Sequence, residues 1–211
     1  MTVEKFEFRK AYPELYAPKA GDFVLVEVPP LQYLAYDGSG DPNTSEEYVS
    51  ALECLYPTAY AVKFASKKDL DRDFTVGPLE GQWRADDMEA FTRGAKDEWD
   101  WTMLVAQPAW ITRDMVRAAV TAVQQKKGLP GLDRLRLVTL DEGTSVQILY
   151  IGAYDAEGPV LERLHHQWMP AHGLTFNGDH HEVYLSDPRR TAAEKLRTVL
   201  RQPVRPLQPS D

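Results

Sequence analysis

The chain has 211 residues, of which 43% are hydrophobic, and a net charge of −8 at pH 7. That is apolar sequence enough for one large core or two small ones, and the acidic balance argues against a nucleic-acid partner while suiting a cationic ligand. No run of 18 apolar residues offers a membrane span, the charged stretch Met1 to Lys10 lacks the apolar segment of a secretory signal, and the single Cys54 excludes an internal disulfide, which together place the expected location in the cytosol.

Residues 1 to 20 are mixed, carry Pro13 and Pro18, and read as a leading arm. Phe23 to Val28, bounded by Gly21 and Pro29-Pro30, is β-rich and predicts a strand, and Leu31 to Tyr36 predicts a second. Asp37 to Asn43 carries the turn signals of a loop. Thr44, with Glu47 three residues on, has the form of a capping box, and Tyr48, Ala51, Leu52, Leu55, Ala59 and Val62 follow at helical spacing. Pro57 falls inside that stripe, so one kinked helix to about Lys67 is expected.

Phe74 to Trp83 and Trp99 to Ala106 are the next strands, with the acidic stretch Asp86 to Glu98 as a connection holding at most a helical turn. Thr112 opens a helix to about Lys127, closed by Gly128-Leu129-Pro130-Gly131. Strands are predicted at Leu132 to Leu140 and Ser145 to Ile151 around the turn Asp141-Glu142-Gly143. A helix follows from Pro159 to about Pro170, then a strand from His181 to Leu185. A short last helix from Thr191, capped with Glu194, to Leu200 and a frayed tail after Pro203 complete the reading. The pattern repeats: strands, a long helix, then strands, over 23 to 106 and again over 132 to 186, joined by the helix at 112 to 127. Two such units brought together pseudo-symmetrically leave a groove between them, a usual ligand site.

In the strand His181 to Leu185, alternate side chains point to opposite faces, so Val183 and Leu185 would face a core while Glu182 and Tyr184 face away together. Glu182 amid aromatic rings would be partly desolvated, which suits a base or a cation partner; on open surface it would mean nothing. Trp83, Trp99, Trp101, Tyr33 and Tyr150 supply rings for flat or cationic ligands, or else plain core. Tyr150 and Tyr184 are candidate hydrogen-bond donors beside Glu182. Five histidines fall between His165 and His181, but adjacent doublets diverge and no HExxH spacing exists, so no metal is expected. No Walker A, GxGxxG or GxSxG motif is present, and no cofactor is expected.

The runs Val26-Glu27-Val28-Pro29-Pro30, Gly38-Ser39-Gly40-Asp41-Pro42, Val76 to Trp83, Trp101-Thr102-Met103, Tyr150 to Tyr154 and His181 to Thr191 resemble the GyrI-like small-molecule-binding proteins. The resemblance covers roughly residues 20 to 203. It implies an α+β fold of two pseudo-symmetric β-α-β-β units around a central ligand groove, here one domain spanning 1–211 with halves at about 20–110 and 130–203. It further implies a groove glutamate on a late strand, by position Glu182, and an aromatic lining at Trp83, Trp99, Trp101, Tyr33 and Tyr150. One departure is that Arg84 follows Trp83, where the family often has an aromatic.

Three functions follow from the resemblance. The first is binding of flat, hydrophobic, often cationic small molecules, as in multidrug-responsive effector domains. The second is hydrolysis of cyclopropane-bearing, DNA-alkylating natural products, a detoxifying reaction with Glu182 and Tyr150 as the catalytic pair. The third is inhibition of a protein partner such as gyrase. The expected partner is a small molecule, with neither nucleic acid nor membrane.

Overall fold

A computed structural model describes residues 5–18, 20–84 and 99–208. The connection expected between Asp86 and Glu98 lies outside the described residues. The fold is α+β. In chain order its main elements are helices α1 (Phe8–Ala11) and α2 (Pro13–Tyr16), strands β1 (Val24–Val28) and β2 (Leu31–Ser39), and helix α3 (Glu46–Leu70). Strands β3 (Leu79–Arg84) and β4 (Asp100–Gln107), helix α4 (Arg113–Lys127), and strands β5 (Arg136–Leu140) and β6 (Gly143–Ile151) follow. Helix α5 (Gly158–Arg163) passes through a π-turn at Leu164–Trp168 into α6 (Met169–Ala171). Strands β7 (Leu174–Phe176), β8 (His180–Tyr184) and β9 (Arg197–Pro206) complete the described chain.

The sheet runs β1-β6-β9-β8-β3-β4-β2-β5, with β7 paired to β9. Each half contributes a β-α-β-β unit: β2, α3, β3 and β4 in the first, β6, α5, β8 and β9 in the second. The halves meet where β3 pairs antiparallel with β8, Gly81 opposite Glu182. The leading strand of each half pairs with the other half, β1 on β6 and β5 on β2. The register from Val24↔Gln147 to Val28↔Gly143 continues without slip into Leu31↔Leu140 and on to Ala35↔Arg136. Thus 24–39 and 136–151 are two long strands bent at Pro29-Pro30 and at Asp141-Glu142. Proline has no N–H for the ladder, so the pairing breaks there and the sheet turns back on itself.

Period-two alternation buries both faces. On β2 and β4, Leu34, Tyr36, Trp101, Met103 and Val105 point toward α3 and α4, where they meet Ala51, Leu55, Ala59, Val62, Val116 and Ala119. Their neighbours Tyr33, Ala35, Leu104 and Ala106 point to the opposite face. There they join Leu149, Val183 and Val199, with Phe8, Leu15 and Tyr16 from the leading arm as a plug. In the second half Val146, Ile148 and Leu200 pack under Leu164 and Met169.

Several expected boundaries move. Ser45, not Thr44, caps α3, its Oγ accepting from the Tyr48 N–H at 3.3 Å. Glu47 is drawn away from the capping role by the Ser39 N–H at 3.1 Å and by Arg134 at 2.5 Å. The helix runs through Pro57 as far as Leu70. β2 extends into the expected loop because Gly38 and Ser39 pair with Trp101 and Asp100. Only Leu79–Arg84 of the predicted 74–83 strand is regular, Phe74 making an isolated bridge to Phe6. Leu132–Arg134 is a 3-10 turn ahead of β5. β7 was not expected. The predicted helix 191–200 is a correction: only Ala193–Lys195 coils, and β9 then runs from Arg197 to Pro206, carrying the supposedly frayed tail, with Val204 buried. The strand wins because Thr198, Leu200 and Gln202 alternate with Val199 and Arg201, and both rows are buried.

Gly38 lies against the fully buried Trp101, and a methyl group at position 38 would overlap the indole ring. The indole cannot rotate away while its Nε1–H donates to the Gly40 carbonyl at 3.2 Å. Gly38→Ala is therefore expected to lower unfolding free energy by about 1–3 kcal/mol, the usual cost of overpacking. Urea denaturation of the variant checks this, and an unchanged midpoint would refute the packing argument.

Candidate functional site

The site rests on the two central strands. On β8 the residues His180, Glu182 and Tyr184 share one face, and on β3 Leu79 and Trp83 lie beside them. Above this floor α3 carries Tyr48, Leu52, Tyr56 and Tyr60, a ridge at four-residue spacing that stacks along one side of the helix. The ridge is offset by one residue from Ala51, Leu55 and Ala59, which bind the sheet. Opposite α3 stand Tyr154, Glu157 and Leu161, and the turn Asp187-Pro188-Arg189 edges the mouth. Together these walls enclose a cavity of about 1460 Å³, room for a drug-sized aromatic molecule.

Glu182 projects into this space with its side chain only 12% exposed. Its backbone partner Gly81 keeps the floor open: a Cβ there would come 2.8 Å from Met103 Cε and 3.2 Å from Tyr184 Oη. Trp83 donates its Nε1–H to Tyr184 Oη at 3.0 Å. That oxygen, used as acceptor, keeps its own proton for the cavity. The Tyr154 ring meets the Tyr184 ring edge-on at 5.6 Å, and Trp83 meets Trp99 likewise at 5.4 Å. Burial and then the Glu182 charge push the Tyr184 hydroxyl well above its ordinary range, and the same two causes raise Tyr48. Burial, then Glu157 and Glu182, lift Tyr154 to about 12. All three phenols thus remain protonated donors around Glu182 at neutral pH.

Of the residues singled out by sequence, the structure brings Glu182, Tyr184, Trp83 and Trp99 together in the cavity wall. It places the others elsewhere. Trp101, on β4 two residues after Trp99, lies wholly under α3, edge-on to Tyr48 at 5.4 Å. Tyr33 points to the opposite side of the sheet, 6.1 Å from the His181 ring. Tyr150 donates its hydroxyl to the Ala153 carbonyl at 3.1 Å and does not line the cavity. Sequence reasoning missed Tyr56, Tyr154, Glu157 and His180 as wall residues; Tyr48 and Leu52, read as core-facing, do pack against the core and line the cavity as well. The tyrosines at 48, 56 and 60 carried a legible signal in their shared four-residue phase. Arg189 and Arg190 pair with Asp187, at 3.0 and 3.9 Å, and so brace the mouth turn. Among the described residues no three of His, Cys, Asp and Glu gather as a metal site.

A deep, ring-walled cavity with embedded carboxylates, set across the junction of two β-α-β-β units, defines a small-molecule-binding protein. Residues 22–205 match the GyrI-like small molecule binding domain, and the chain belongs to that family. A conserved protein of Listeria innocua is 36% identical, with a TM-score of 0.85 over 95% of this chain and all of its own. A hydrolase of the same organism is 35% identical, with a TM-score of 0.83 over 95% of this chain and all of its own. The C-terminal domain of EcmrR shares the fold alone, at 11% identity and a TM-score of 0.57 over 88% of this chain and 98% of its own. No curated protein sequence matches the chain. No described helix is long and apolar enough to cross a membrane.

Proposed function

We propose that the cavity binds flat, hydrophobic, cationic small molecules, stacked between the α3 tyrosines and Trp83 and charge-matched by Glu182. The observation that carries this reading is Glu182 itself, nearly desolvated among aromatic walls in a cavity of about 1460 Å³. A carboxylate in that setting gains more from a lipophilic cation than from water at the same distance, and the ring faces add their own attraction for positive charge. Tyr48, Tyr154 and Tyr184 offer hydroxyls to polar edges of the ligand. The net charge of −8 favours the approach of cations. The test is a fluorescence titration with a rhodamine-type cation and with a neutral dye of the same ring system. Tighter binding of the cation is expected, and equal affinity for the two would overturn the charge-matching.

A second reading is favoured by the Listeria innocua hydrolases at 34–35% identity. In it the cavity opens a strained cyclopropane conjugated to a carbonyl. Glu182 takes a proton from water as the water oxygen bonds to a ring carbon, and the ring carbon–carbon bond breaks. The released electron pair moves to the carbonyl oxygen, which accepts a proton from a tyrosine hydroxyl. Tyr154 and Tyr184, both in the cavity wall, would take that role, which the sequence reading gave to Tyr150. The proton on Glu182 then passes back through solvent to the tyrosinate, so the sum is addition of one water. Loss of the substrate's absorbance over the buffer rate would mark turnover.

A further inference from the structure

His180 is buried, lines the cavity, and faces the same way as Glu182 on β8. Its Nε2 lies 3.5 Å from Glu182 Oε1, outside hydrogen-bond geometry. Among the described residues neither of its ring nitrogens has a hydrogen-bond partner. A buried polar atom without a partner is costly, and such exceptions concentrate where a ligand or a proton is handled. The imidazole is not a core histidine in the ordinary sense, because the one on the next residue, His181, has both nitrogens engaged.

The groups that face His180 narrow its role. His165, on the π-turn, presents its ring 6.1 Å away at 82°. Burial, then His180 and His166, push the His165 imidazole down to about 3, so it stays neutral and takes no proton at ordinary pH. Trp83 is opposite on β3 and has no acid–base function. Asp179, one residue back, is paired with Arg84 at 3.7 Å near the surface, and those charges compensate each other. Glu157 also lines the cavity and acts on Tyr154 and Tyr184, while Glu182 is the carboxylate the structure places beside the His180 ring. With His165 and Glu182 the ring does not converge into a metal-ligand set.

We infer that His180 is the proton partner of Glu182. The two form one acid–base pair in the cavity wall, and His180 takes up the proton that the carboxylate receives from a ligand or from water. In a binding role, a protonated His180 cancels the carboxylate charge and releases a cationic ligand. In a hydrolytic role, Glu182 takes the proton from water as the water oxygen bonds to the ring carbon and the ring carbon–carbon bond breaks; Glu182 hands that proton to His180 Nε2, which returns it through solvent to the tyrosinate, so one water is added in sum. Either use rests on the cavity being a ligand site, as proposed above.

The experiment has two arms, so failure here is distinguishable from failure of the ligand reading. The first needs no ligand. The ring proton resonance of His180 is followed through pH by NMR in the full chain, in wild type and in Glu182→Gln. Loss of the neighbouring carboxylate is expected to change how the ring signal responds to pH, since a negative charge beside it favours the protonated ring. An unchanged response overturns the pairing. The second arm follows binding of a rhodamine-type cation through the same pH range in wild type, His180→Gln and His180→Asn, with thermal melts to confirm folding. Wild-type affinity is expected to fall about tenfold as His180 gains its proton, whereas both folded variants give a flat profile. Variants that keep the wild-type pH profile overturn the inference. Should wild type bind no cation at any pH, the ligand reading fails and the first arm alone decides the pair.

Discussion

Arg201→Met is expected to lower unfolding free energy by about 3–5 kcal/mol, the scale for removing one partner of a buried ion pair. Arg201 is completely buried on the closed side of the sheet. Its guanidinium donates to Glu142 at 3.4 Å, Gln147 at 3.2 Å and the Leu15 carbonyl at 3.2 Å. Glu142 in turn accepts from His181 Nδ1 at 2.6 Å, and His181 Nε2 reaches Glu80 at 3.1 Å. Tyr16 donates to Glu80 at 2.9 Å, and Gln147 donates to the Glu14 carbonyl at 2.6 Å. Two carboxylates thus balance one guanidinium and one imidazolium, and the same groups pin the leading arm into the sheet. Without Arg201, one carboxylate and two carbonyl oxygens lose a donor in a place water does not reach. The double variant Arg201→Met/Glu142→Met removes a charge of each sign and is expected to recover part of the loss. Urea denaturation measures both, and a single-variant loss under about 1 kcal/mol would show the network to be energetically idle.

The same network sets a pH dependence. Burial drives the His181 imidazole down, but Glu142 and Glu80 outweigh it and hold it at about 9, above the ordinary 6.5. Its contribution is therefore complete below about pH 6.5 and is lost as pH rises through about 9, amounting to about 3 kcal/mol. For Glu142 burial acts upward, and His181 with Arg201 outweighs it and brings the carboxyl down to about 2. That contribution is present above about pH 4.5 and is lost as pH falls toward about 2. The two are one interaction seen from its two ends, so they do not add. Stability from this source peaks between about pH 4.5 and 6.5, and His181→Asn should flatten the alkaline decline.

Glu182→Gln keeps the shape of the cavity and removes its charge. Unit charges 4 Å apart at an effective dielectric of about 20 attract by about 4 kcal/mol. Desolvation of the carboxylate and the substituents around a lipophilic cation take back part of that, leaving ~2 kcal/mol, about thirtyfold in Kd. Neutral dyes of the same ring system should bind the variant as well as wild type. A cation that binds both proteins equally would place its charge elsewhere. Under the hydrolytic reading the same change removes the base, and turnover should fall by roughly 100-fold or more while the neutral substrate still binds.

Much of the fold was written in local patterns. Thr112 and Gly128 bound α4 as capping chemistry predicts, Thr112 Oγ1 accepting from the Met115 N–H at 3.3 Å and Gly128 taking the left-handed conformation at φ 61°. Alternation on β8 separated Glu182 and Tyr184 from Val183, and the two sides of the sheet do receive them separately. These features depend on residues one to four apart, so the chain alone determines them.

β9 was hidden because its buried row includes Arg201 and Gln202, charged and polar residues that break an apolar period and find partners only across the sheet. The exchange of β1 and β5 between halves is invisible locally, since it is a pairing of residues more than a hundred positions apart. Trp99 and Trp101 are two residues apart, yet Trp99, ahead of β4, lines the cavity while Trp101 within it lies under α3, because where the helix crosses the sheet decides which ring is covered. Tyr33 and Tyr150 were separated from the cavity by the same long-range geometry. The sequence by itself determined which residue types could line a cavity and about where the two long helices and several strands begin. Only the tertiary structure decided which of them meet, because convergence on Glu182 is a property of two sheet halves closing against each other and not of any one segment.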